Sequence, residues 1–114
     1  MYSGFELKNL TDSSDKLMQV HKSRLEPGDM IYLKTLNSLY IIKVISNDEY
    51  LVSGGWFDKQ NISPQKMSIR GCTWGGSAIK TDIIAATGLC IEFGNNLITS
   101  KIHKIFFFSH KSIN

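Results

Sequence analysis

Cys72 and Thr73 lie in the run GCTWGGSAI, residues 71–79, where potential nucleophiles sit among three glycines with almost no charge. Thr73 takes the serine position of a G-x-S-x-G elbow over residues 71–75. That elbow works between a strand and a helix of an α/β-hydrolase, which needs far more chain than 114 residues, and nothing orients His103 or His110 toward it as a base. A cysteine nucleophile needs an electropositive, partly exposed setting that lowers its pKa. Cys72, just after Arg70 and Gly71, meets that description better than Cys90, which stands between Leu89 and Ile91 as a packing residue would.

GGSAIKT, residues 75–81, approaches the phosphate-cradling pattern GxxxxGK[ST] but carries Ile79 where the last glycine belongs, and a branched side chain there denies the phosphate its close backbone approach. Cys72, Cys90, His103 and His110 follow no zinc spacing, since neither CxxC nor HxxxH occurs. Asp29, Asp58 and Asp82 show no pairing. No catalytic residue, metal site or cofactor is therefore assigned, and an enzyme ranks third among the readings.

The same segment also suits binding. SGGWF at 53–57 and TWGGS at 73–77 read as near mirror images, each setting a tryptophan beside two glycines. Glycine pairs of this kind mark sheet corners, bulges or close backbone approach. If the aromatics face solvent instead, Trp56, Phe57 and Trp74, with Arg70 and Lys80 near them in sequence, make a platform for a base or a pocket for a peptide side chain. KIHKIFFFSHK, 101–111, again mixes basic and aromatic residues, although alternation sends Phe106 and Phe107 to opposite faces, so at least one of them is core.

The elements that would carry these residues are strands. Pro27 and Gly28 occupy the centre of an expected type II turn that opens a strand at Asp29. MIYLKT puts Ile31 and Leu33 on one face and Tyr32 and Lys34 on the other; LYIIKVI and YLVSGG complete a meander over residues 29–54. Residues 56–65 read as loop, and KMSIRG as a half-exposed strand. GLCIEFGNNLITS reads as a hairpin with Leu89, Ile91 and Phe93 inward, Cys90 and Glu92 outward, and Gly94-Asn95-Asn96 in the turn. KIHKIFFF closes the fold, with a short 3₁₀ turn expected before it. The stretch TDSSDKLMQVHKSRL admits two readings, a short helix capped by Asp12 or Ser13, or an irregular tail leading into a strand near residues 16–20.

The expectation is an all-β chain: an N-terminal extension over 1–26 and one domain over 27–114. That domain is first read as a small antiparallel SH3-like barrel and alternatively as a compact β-sandwich. The net charge of +3 hides an asymmetry. Residues 1–58 hold six Lys/Arg against eight Asp/Glu, and residues 59–114 hold seven against two. No apolar run spans a bilayer, and no basic segment followed by an apolar one opens the chain, so a cytoplasmic protein with free thiols is expected and no membrane contact. The expected function is a non-enzymatic binding or assembly module that contacts a protein partner or itself. The alternative is a nucleic-acid-binding barrel that uses the basic second half and the Trp-Gly-Gly loops.

Overall fold

A computed structural model describes residues 15–74 and 79–112. The chain is mostly β and compact. Its strands are β1 (Asp15–Leu17), β2 (Gln19–His21), β3 (Met30–Thr35), β4 (Leu39–Ser46), β5 (Glu49–Gly54), β6 (Gln65–Met67), β7 (Ile69–Thr73), β8 (Ile79–Lys80), β9 (Ile83–Ala86), β10 (Cys90–Phe93) and β11 (Ile102–Phe108). One short helix, α1 (Gly55–Lys59), follows β5, and 3₁₀ turns occupy Lys22–Arg24 and His110–Ser112. The ladders are antiparallel and make three sheets, ordered β1-β11-β3-β4-β5-β6, β10-β7-β8 and β2-β9. Among the described residues none of them closes into a barrel.

The meander forms as its alternation dictates. Ile31 and Leu33 of β3, Tyr40, Ile42 and Val44 of β4, and Tyr50 and Val52 of β5 point inward and are buried with Ile105 and Phe107 of β11. The entry turn has Gly28 at φ 95°, and Asp29 N–H donates to Glu26 O at 3.0 Å, as a type II turn requires. Asp29, 2% exposed, is satisfied by two backbone donors, Glu26 N–H to Oδ2 and His110 N–H to Oδ1, both at 2.9 Å. That carboxylate thereby ties the chain's last described turn to the start of β3.

Four expectations change. Residues 56–65 are not all loop: Gly54 at φ 91° and Gly55 at φ 45° steer the chain into α1, whose Asp58 Oδ1 accepts the Gly54 N–H at 3.0 Å. KMSIRG is two strands in different sheets, separated at Ser68. Cys90 is buried rather than outward, opposite the equally buried Thr73, because both sides of the β7–β10 ladder are covered. The 3₁₀ turn follows β11 instead of preceding it; the spacing of Ile102 and Ile105 comes from a bulge at His103. Of the two readings for residues 11–25, the described part, from Asp15 on, is strand as far as His21. Here β1 lies on β11 and β2 on β9; the proposed caps Asp12 and Ser13 lie outside the described residues.

Candidate interaction surface

The five residues singled out in sequence do not form one platform. Phe57 is 0% exposed and sits in the core, ringed by Tyr40, Trp56 and Phe93 with centroids at 6.3, 5.3 and 5.3 Å. Trp56 is half-buried against that core. Trp74, 58% exposed, stands at the end of β7 with the Lys80 ammonium 5.4 Å from its ring centroid. Arg70 lies on the same strand but is the extra residue of a bulge, where β10 shifts register between Glu92 and Phe93. Its guanidinium is engaged by Glu92 at 3.5 Å and by Gly94 O at 3.3 Å. The structure thus brings Trp74 and Lys80 together, turns Arg70 to a local ion pair and removes Phe57 from the surface.

Nucleophilic chemistry finds no support at GCTWGGSAI. Cys72 is 0% exposed, and burial pushes its thiol up to about 12, the opposite of what an attacking thiolate needs. Thr73 is buried as well. His103 is exposed on β11 and His110 lies at the turn after it, held by Glu26, so neither histidine joins Cys72. Gly71 has a packing explanation: at φ 146° an added Cβ would collide with the carbonyl oxygen of Lys80, whose strand lies against β7. Among the described residues no group of three or more His, Cys, Asp or Glu side chains converges as metal ligands would. No helix of the described chain is long and apolar enough to cross a membrane.

A different surface emerges from the register of the large sheet. Directly paired residues share a face, so the outward rows can be read across the strands. One row runs Lys104, Lys34, Leu39. The next runs Phe106, Tyr32, Ile41, Ser53, and the third Phe108, Met30, Lys43, Leu51, Lys66, crossing five strands. The four lysines are exposed, while Met30, Tyr32, Leu39, Ile41, Leu51 and Phe108 are half-buried between them. Tyr32 and Phe108 pack edge to face at 5.3 Å. Phe106 is 3% exposed and lies outside the core cluster, while Phe107, on the opposite face, belongs to it.

Elsewhere on the molecule the basic residues are mixed: Lys59, Lys80 and Lys101 are exposed and make no ion pair among the described residues, while others are engaged. Lys22 binds Asp48 Oδ1 at 3.3 Å and Ile69 O at 2.9 Å; Arg24 lies over the Phe107 ring at 4.4 Å; Lys111 reaches Glu26 at 3.5 Å. Lys34, Lys43, Lys66 and Lys104 make no ion pair among the described residues. The rows contain no carboxylate. Glu49, at the corner beyond Leu51, accepts a hydrogen bond from Ser46 Oγ at 3.2 Å. Four ammonium groups without an ion pair among the described residues surround an apolar centre with Glu49 at its corner, a predominantly basic surface suited to an anionic and partly apolar partner. Part of this was visible beforehand, since MIYLKT alternation already placed Tyr32 and Lys34 together; joining them to Lys43, Lys66 and Lys104 required the register.

Comparisons of the chain with protein-family models, with curated proteins and with solved structures found no match.

Proposed function

We propose that this chain is a non-enzymatic binding module that docks a protein partner on the outer face of its six-stranded sheet. One observation carries the reading: four exposed lysines with no ion pair among the described residues surround half-buried apolar side chains on three adjacent rows of that face. The apolar side chains of this face are half-buried rather than exposed, and a contiguous set of them rimmed by charge is the pattern of an interaction site. Burial of Cys72 and Thr73 lowers the case for an enzyme in the segment where one was most conceivable. In architecture we read the meander β3–β5, wrapped by the smaller sheets, as an open relative of SH3-like barrels, which implies no activity. Two buried free thiols fit a reducing compartment, so the proposed location is the cytoplasm.

The test is affinity capture from an extract of the source cells with wild type, Ile41→Glu and Trp74→Ala as baits, with and without nuclease. Ile41 is at the middle of the face, and Trp74 follows β7 of another sheet. The reading expects specific polypeptides on wild type and Trp74→Ala, lost on Ile41→Glu and indifferent to nuclease. Capture that survives Ile41→Glu but not Trp74→Ala would move the site to the β7–β8 end. Capture abolished by nuclease would replace the reading with nucleic-acid binding.

A further inference from the structure

We infer that the partner element seated on this face is a short acidic, amphipathic protein segment, rather than nucleic acid or a second copy of the chain. The inference rests on the docking face proposed above and names its ligand.

Size argues first. With strands about 4.8 Å apart and a rise of about 3.4 Å per residue, the patch from β11 to β6 measures roughly 19 by 13 Å. It suits one peptide element. The lysines mark its two ends: Lys34 and Lys104 are directly paired at one corner, and Lys43 and Lys66 share the row that is four residues further along β3. Acidic residues bracketing an apolar centre, about 18 Å apart along the diagonal, would meet both pairs while Ile41 and Leu51 contact the middle. This is the spacing of about twelve residues in a helix or five in a strand.

Charge excludes the second copy. A two-fold contact through this face would set lysines of one molecule against lysines of the other, with no carboxylate in the rows to neutralise them. Nucleic acid is disfavoured by the rings. Bases stack on open aromatic faces, whereas Tyr32 and Phe108 are committed to each other edge to face and Phe106 is buried. The remaining apolar groups are aliphatic, which suits side chains of a peptide better than bases.

The experiment is fluorescence anisotropy with the full chain. The probes are a labelled twelve-residue peptide with an apolar centre and acidic ends, the same peptide with lysine ends, a single-stranded DNA twelve-mer, and phosphatidylserine-containing vesicles followed by co-sedimentation. The acidic peptide is expected to bind, to weaken about tenfold or more in Lys34→Glu/Lys104→Glu, and to be unchanged in Lys59→Glu at the end of α1. The lysine-ended peptide should gain binding to the reversed variant, a charge swap that loss of folding cannot imitate. Tighter binding of DNA or of vesicles than of the acidic peptide would overturn the assignment. So would acidic-peptide binding that ignores the charge reversal. If Ile41→Glu abolishes cellular capture while neither peptide binds, the docking face stands and its acidic ligand falls.

Discussion

Replacing Phe57 with alanine separates a core residue from a surface one. Phe57 is fully buried and meets three aromatic rings, so truncation removes about 150 Å² of apolar contact. At about 25 cal/mol per Å² this is about 4 kcal/mol, within the roughly 3–5 kcal/mol range of Phe→Ala cavities. Since small domains are stable by about 5–15 kcal/mol, the variant should be folded but marginal. Urea unfolding followed by circular dichroism reads the effect. With an m-value of about 1.5 kcal/mol per molar, the midpoint should fall by roughly 2–3 M. Trp74→Ala is the counterpart. Its ring is largely exposed, and its lysine contact is worth no more than about 1 kcal/mol, so its midpoint should move by less than ~0.7 M. Equal shifts, or a Phe57→Ala loss below about 1 kcal/mol, would refute the placement of Phe57 in the core.

Three other outcomes follow from the same packing. Cys72, fully buried and with a thiol pushed up to about 12, should resist thiol-reactive reagents at pH 8 in the native state, with labelling confined to unfolding; rapid native labelling of Cys72 would contradict this. Gly71→Ala should cost at least about 2 kcal/mol by forcing β8 from β7, whereas Gly88→Ala, with open space at its Cβ position and φ 85°, should cost about 1 kcal/mol; equal losses on thermal melting would deny the close approach at Gly71. The Glu26 carboxyl is held below its ordinary value of 4.5, first by its hydrogen bond with His110 and then by the Lys111 charge. A lowered folded pKa stabilises above the unfolded value and is lost as pH falls through the folded one, so Glu26→Gln should flatten the stability profile below pH 4.5. An unchanged profile, or a carboxyl titrating above 4.5 by NMR, would count against the His110 contact.

What could be read beforehand depended on how local its cause was. The turn at Pro27-Gly28 and the alternation of MIYLKT are decided within a few residues, and the meander formed accordingly. Phe57 was misleading because its neighbours SGG and DKQN look like a solvent loop. Its burial depends on α1 folding back onto Tyr40 and Phe93, contacts distant in sequence. Arg70 was placed beside the tryptophans by proximity in the chain, yet the bulge opposite Glu92 turned it to an ion pair on β10. The lysine face had the reverse history. Tyr32 and Lys34 were on one side from the pattern alone, but Lys43, Lys66 and Lys104 joined them only through pairing across five strands, which one-strand periodicity does not encode.

Docking on the outer face of the six-stranded sheet is read residue by residue by NMR of the isotope-labelled full chain titrated with the acidic twelve-residue peptide. A ligand seated there should give amide shifts confined to the outward rows, centred on Tyr32, Lys34, Ile41, Lys43, Leu51 and Lys104, and suppressed in Lys34→Glu/Lys104→Glu. Shifts centred instead on Trp74, Ile79 and Lys80, with the outward rows silent, would contradict it.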